Sequence, residues 1–379
     1  MRELLGPVYR PLRRVGRFLT WVIPSLGGLL STPPSGRRVL LIYDTYSQPF
    51  NIGDILIMQE GSLVLRARHG IDLVDFAIVY DPKYPAASAS VFSGITEDNA
   101  LYHLASILPV AQVNQHLGSV FLFNSHGHLD RFIADNTDYY QVWPSAWKFG
   151  SRDYLYYEVF NDLLYGHHKE HGAIPHLTCR QFLADWARVF LRRHVQPSVP
   201  VTVNVRNNMA FHTHRNSHLE SWLEFFRYCA SRYPATFVII CARAEIDERL
   251  RRCPNVVIAK DHHTGVEQDL ALIQASAIHM GAGSGPASMA WFTEKPYLMV
   301  NTVYGPGYFA HPEMILQEED HIQRFWFSGP HQRIAGGVET TELLVNEFAS
   351  MWAAVDLDRW RNPPSDDSRS ETDLSLWLR

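Results

Sequence analysis

Short apolar runs alternate with helix-like stretches along most of this chain, and no other feature restricts its folding as strongly. The first run is "RVLLIYD", with a buried strand expected at Val39–Tyr43. Later runs are "IDLVDFAIVYD", "SVFLFNS", "VTVNVRN", "TFVIICARAE", "NVVIAKD", "AIHMGAG" and "PYLMVN". Helical patterns such as "LESWLEFFRYCASRY" and "GVEQDLALIQASA" separate them. Strands alternating with helices specify parallel sheets covered by helices. A chain of 379 residues exceeds one ordinary core, so two domains of roughly 150–200 residues are expected.

Composition narrows the class. Hydrophobic content of 46% with 19% charged residues describes a folded globular protein. A formal net charge of −5 argues against nucleic acid as a partner of the whole protein. Cys179, Cys229, Cys241 and Cys253 lack the close pairing of zinc or redox motifs and read as reduced, buried thiols.

The opening thirty residues are basic and apolar without the roughly 20 uninterrupted apolar residues needed to span a bilayer. On a helical wheel Arg10, Arg13, Arg14 and Arg17 oppose Val8, Leu12, Val15, Leu19 and Val22. That pattern fits an amphipathic helix at a membrane surface; a secretory signal or a helix packed on the protein's own body are the competing readings. "STPPSGRR" is a turn-rich linker. The expected organisation is an amphipathic segment and linker at 1–36, an acceptor-side α/β domain at 37–197, a donor-side α/β domain at 198–345, and a C-terminal helix with mobile tail at 346–379.

The stretch "GAGSGPASMAWFTEKPYLMVN", from Gly281 to Asn301, carries the first chemical signal. Glycines allow close backbone approach, Ser284 offers a hydroxyl, and a helix mouth favours an anion. An ordinary strand-to-helix turn would use the same small residues. The stretch resembles the C-terminal domain of two-domain glycosyltransferases of the GT-B fold, with lipopolysaccharide heptosyltransferases the nearest type. Ser284, Gly285 and Pro286 match the turn that holds the donor diphosphate in that family, and Lys295–Pro296 match its close. The acid often found before Ser-Gly is replaced by Gly283, which departs from the pattern.

A second match follows the first strand. Asn51-Ile52-Gly53-Asp54 resembles the "GD" loop of heptosyltransferases, whose aspartate is the general base. It is also similar to the "N-x-G-D" opening of polysaccharide pyruvyl transferases. A carboxylate at a strand end can take an acceptor proton, and a Gly-Asp before an apolar run can equally cap a helix. Asp44 is the reserve candidate. Arg206, Arg215 and Arg243 fall at or near successive strand ends, where forked cations suit a diphosphate, although each alone suits a surface ion pair.

Histidines number 19. "HGH" (His126, His128), "HHKEH" (His167, His168, His171), "HTH" (His212, His214) and "DHH" (His262, His263) match no metal motif, and polar loop roles are expected. With Asn51, His126 and His128 are the acceptor-binding candidates. Trp143, Trp147, Tyr154, Tyr156 and Tyr157 could stack on sugars or fill a core. Altogether the resemblance implies a metal-independent, cofactor-free, inverting glycosyltransferase. Its donor would be a nucleotide-sugar, held by Arg206, Arg215, Arg243, Gly283, Ser284 and Gly285, and its catalytic base Asp54. The acceptor would be a surface polysaccharide or lipid-linked saccharide at the cytoplasmic face of an anionic membrane. A pyruvyl transferase using phosphoenolpyruvate and a non-catalytic saccharide-binding scaffold are the alternatives.

Overall fold

The computed structural model describes residues 38–47, 51–83, 98, 100–144, 163–209, 213–302, 315–319, 322–357 and 360. The 1–36 segment, Trp147, Tyr154, Tyr156, Tyr157, His212 and the residues after 360 lie outside them.

Val39–Tyr43 are apolar at consecutive positions because their strand, β1 (Arg38–Asp44), is buried on both faces. Asn51 caps the next element, α1 (Ile52–His69): its side chain accepts from Gly53 N at 2.8 Å, and Gly70 closes the helix in the left-handed region. There follow β2 (Val74–Val79), α2 (Ala100–Ile107), β3 (Leu117–Phe123), α3 (His126–Asp135) and β4 (Tyr140–Trp143). All pairings among these strands are parallel, in the order β3-β2-β1-β4.

Helices α4 (Tyr165–His171) and α5 (Gln181–His194) lead into the second sheet. It comprises β5 (Val199–Asn204), α6 (Leu219–Ala230), β6 (Ala235–Ile239), β7 (Val256–Ile258), α7 (Val266–Ala275), β8 (Ile278–Ala282), α8 (Ala287–Trp291) and β9 (Tyr297–Val300). After these come β10 (Ile315–Glu319), β11 (Ile322–Phe325), β12 (Gln332–Ala335) and α9 (Thr341–Ala354). The order is β10-β11-β12-β9-β8-β5-β6-β7, parallel from β12 to β7, with β10 and β11 antiparallel. Read from β7 to β12, this is the doubly wound order in which the chain reverses direction between the first and fourth strands, here β5 and β8. In the first sheet the corresponding reversal lies between β1 and β4.

Both sheets are therefore Rossmann-like, as the alternation implied. Three local features go beyond the sequence reading. Tyr140–Trp143 extends the first sheet beside β1. The C-terminal helix begins at Thr341, before 346, because Thr340 caps it by accepting from Leu343 N. The antiparallel hairpin of β10 and β11 was not expected.

The described residues, all from position 38 onward, form one compact unit. One apolar cluster joins the two sheets, drawing Leu56, Val64, Leu183, Phe190, Leu270, Ala287 and Met289 from α1, α5, α7 and α8. Glu60 of α1 is fully buried at this junction, and among the described residues neither of its carboxyl oxygens has a hydrogen-bond partner. Burial raises its pKa well above the usual carboxylate range, and the nearby Leu177 N–H, which donates to Phe292 O, offsets little of this. A raised folded pKa contributes stability only below the unfolded value and loses it as pH rises through the folded one. Glu60→Gln should therefore melt above the wild type, by a margin that widens between about pH 5 and pH 8. A margin that shrank with rising pH would mean that the carboxylate has a counter-ion.

Candidate functional site

Ligands of doubly wound sheets lie beyond the carboxyl ends of the strands, near the reversal point. In the first sheet those ends carry Asp44 and Asp81, with His126 opening α3. In the second they carry Asn204, Ile240 and the 281–286 turn.

The two motifs singled out in the sequence meet in space. A Cβ on Gly285 would lie 3.0 Å from Gly53 N and 3.0 Å from Ile52 Cβ; one on Gly53 would lie 3.3 Å from Gly285 Cα and 3.3 Å from Ser288 Oγ. The backbones of the "GD" and Ser-Gly-Pro segments are in contact, and side chains at either glycine would force them apart. The Ser284 hydroxyl donates to Asn204 Oδ1 at 3.1 Å, and Gly283 N donates to Thr302 Oγ1 at 3.0 Å. A Cβ on Gly283 would overlap Thr302 Oγ1, so a larger residue at 283 would require Thr302 to move. Because α8 has only five residues, its dipole adds less to anion binding than the expected helix would have done. The longer dipole at this point belongs to α1.

Asp54 sits in the first turn of α1, only 4% exposed, and its Oδ2 has no hydrogen-bond partner among the described residues. Burial raises its pKa well above the carboxylate range. It is not the helix cap, because Asn51 holds that position. Asn51 Oδ1 is thereby committed to Gly53 N. Beneath them lies Tyr43, fully buried, whose pKa is raised by burial and by the Asp54 charge, with the Asn51 N–H opposing. Tyr43 carried no motif; only its place at the end of a strand near the reversal point could have marked it.

His126 is placed otherwise than as an acceptor contact. It is buried, with Nε2 3.0 Å from both Asp44 carboxylate oxygens and Nδ1 3.2 Å from Asp81 Oδ2. Its backbone N–H also donates to Asp81 Oδ2 at 3.2 Å. Both ring nitrogens are engaged by carboxylates, so neither remains for a sugar hydroxyl. Burial raises the Asp44 pKa against the opposing Tyr46 N–H and His126. Burial also pushes Asp81 upward, but hydrogen bonds from Lys83 N–H and from His126 outweigh it and hold the group below its ordinary value. Asp44, the reserve base, is fully buried in this cluster. His128 is exposed, 3.3 Å from Asn124 Oδ1.

The arginines divide. Arg206, half-buried at the end of β5, has a pKa lowered by burial and by Arg215, with Glu245 opposing. Ser217 N donates to Arg206 O and Arg206 N donates to Ser217 Oγ, which fixes the backbone after β5. Arg243 is exposed and donates to Lys260 O at 2.6 Å. Lys295 belongs to the interior: its Nζ donates to Ser276 O beside His279, whose pKa burial and Lys295 lower to about 3. Among the described residues, no three or more His, Cys, Asp or Glu are grouped to hold a metal ion, and no helix is long and apolar enough to cross a membrane. All four cysteines are free and buried.

No protein-family model matches the sequence, and no curated protein matches it significantly. Solved structures do match the fold. A glycosyl transferase family 9 protein from Veillonella parvula is 10% identical, over 86% of this chain and 92% of its own, with a TM-score of 0.50. The ADP-heptose heptosyltransferase II of E. coli is 10% identical over 84% of this chain and 99% of its own, at 0.47. E. coli heptosyltransferase WaaC, solved with ADP, is 12% identical over 83% and 99%, at 0.46. At such identities the likeness concerns the fold alone: the chain has two Rossmann-like domains in the GT-B arrangement.

Proposed function

We propose that this GT-B-fold chain is a glycosyltransferase that moves a sugar from a nucleotide-sugar to a saccharide or lipid-linked acceptor, with inversion and without a metal. The observation supporting this most directly is the meeting of Asn51–Asp54 with Ser284–Pro286. In this reading a buried carboxyl, whose Oδ2 has no partner among the described residues, stands beside a small-residue turn. The reading of the 283–286 turn as a diphosphate site makes a nucleoside diphosphate the first ligand to test. Because Gly53 and Gly285 touch, the donor lies alongside their contact rather than between them.

In this reading Asp54 Oδ2 accepts the proton of the acceptor hydroxyl as the hydroxyl oxygen bonds to the anomeric carbon. The bond from that carbon to the diphosphate oxygen breaks, and the leaving diphosphate carries the electron pair. A carboxyl with a raised pKa suits this step, since its proton affinity approaches that needed at neutral pH. Arg206 and Arg215 meet the developing negative charge with forked donors. The acceptor is assigned to the first-sheet side of the site, and residues 1–36 to peripheral contact with the cytoplasmic face of an anionic membrane.

Two of the three cationic candidates give a test. Arg206→Ala should weaken nucleoside-diphosphate binding by about 10- to 100-fold, the loss of a hydrogen bond to a charged group. Arg243→Ala, already committed to Lys260 O, should change it by no more than about 3-fold. Equal affinities for Arg206→Ala and wild type, measured calorimetrically, would remove the diphosphate from this position.

A further inference from the structure

Asn204 is the last residue of β5, directly opposite Gly281 across the reversal point of the second sheet. The strands close tightly there: Gly281 has φ +146°, and a Cβ on it would fall 2.5 Å from Asn204 O. The Asn204 side chain, 4% exposed, bridges outward from this contact in two directions. Its Nδ2 donates to Ile240 O, just beyond β6, at 2.8 Å, and its Oδ1 receives the Ser284 hydroxyl at 3.1 Å. The amide orientation follows from its partners. Ile240 O can only accept, so the NH2 group must face it and the carbonyl must face Ser284. A serine hydroxyl has one proton, and that proton points at Asn204.

This arrangement qualifies the simple picture of Ser284 as a donor. To donate to a phosphate oxygen, Ser284 must turn its O–H away from Asn204 Oδ1. We propose that Asn204 is a positioning residue of the donor site: its Oδ1 holds the Ser284 hydroxyl in the turn and is the acceptor that a diphosphate oxygen replaces. The O–H bond stays intact and only its direction changes. Because the same amide ties the ends of β5 and β6 to the turn after β8, it also sets where the Ser284 oxygen stands. Asn204 acts through Ser284 and needs no contact with the ligand. The inference rests on the reading of the 283–286 turn as the diphosphate site.

A double-mutant cycle isolates this role. Affinities of wild type, Asn204→Ala, Ser284→Ala and the double variant are measured by calorimetry for whichever of ADP, GDP, UDP and CDP the wild type binds. The corresponding nucleoside is titrated in parallel, and melting temperatures verify folding. Asn204→Ala should weaken the diphosphate about 10-fold while leaving the nucleoside within about 2-fold. In the Ser284→Ala background it should cost nothing further, because the group it positions is gone. Asn204→Asp provides a second, isosteric variant should the alanine variant fold poorly. A carboxylate beside the turn holds the hydroxyl more strongly and repels a diphosphate, so its loss should exceed that of alanine. Additive losses, or equal losses for nucleoside and diphosphate, would show that Asn204 merely supports the sheet and overturn the inference. If the wild type binds no nucleoside diphosphate, the donor-site reading itself fails and takes the inference with it.

Discussion

Replacing Asp54 with Asn should lower glycosyl transfer by about 10²- to 10⁴-fold, the range contributed by a positioned general base. Donor affinity should change little. The substitution keeps size and shape, and the site is already buried, so the melting temperature should hold or rise as a desolvated carboxyl is removed. That combination separates chemistry from architecture. A helix-capping role would have shown the opposite pattern, with stability lost and turnover retained, but the cap is Asn51. The pH dependence has a definite sign. Asp54 must be ionised to accept a proton and its pKa is raised, so transfer should increase with pH through a value above the ordinary carboxylate range. Initial rates and melting curves of the two proteins across pH check all three statements. An Asp54→Asn variant of undiminished activity would leave the proposed transfer without its base.

His126→Ala should have the largest effect on stability. The imidazole stands between Asp44 and Asp81, all three buried. Removing it leaves two carboxylates without their shared partner, a loss on the order of 3–5 kcal/mol for a broken buried ionic network. For a chain with domains of this size that lowers the melting temperature by about 6–20 °C. The sign with pH follows from the two carboxylates. Asp44, raised, can take up a proton as pH falls and so relieve the unpaired charge; Asp81, lowered, stays ionised longer. The deficit relative to wild type should therefore be greatest near neutral pH and shrink toward about pH 4. A melting temperature within about 1 °C of wild type would mean that water or a rearranged neighbour replaces the ring.

These two expectations differ in how far the sequence announced them. Asp54 was visible because its motif is contiguous and directly follows an unmistakable buried strand. The same holds for Ser284 and Gly285, next to β8. That the two segments touch could not be read, since the Gly53–Gly285 contact depends on how α1 packs against α8. The clamp on His126 was hidden for a related reason: Asp44 lies 82 residues away and Asp81 45 residues away in the chain. An isolated "HGH" at a strand end gives no sign of which carboxylates flank it. Asn204 and Tyr43 are ordinary strand residues until the strand order places them next to the reversal point. β4 escaped notice because four residues with one polar member carry too short a period to read. Gly283 departs from the resembled pattern in the sequence, and only the structure shows that Thr302 packs against it.

The central claim is that the 283–286 turn binds the diphosphate of a nucleotide-sugar. Calorimetric titration of the purified protein with ADP, GDP, UDP, CMP and phosphoenolpyruvate, repeated with Ser284→Trp, tests it most directly. Saturable binding of one nucleoside diphosphate, lost in a Ser284→Trp variant that remains folded, is the expected result. Binding of phosphoenolpyruvate alone, or of no ligand by the folded wild type, would contradict the claim.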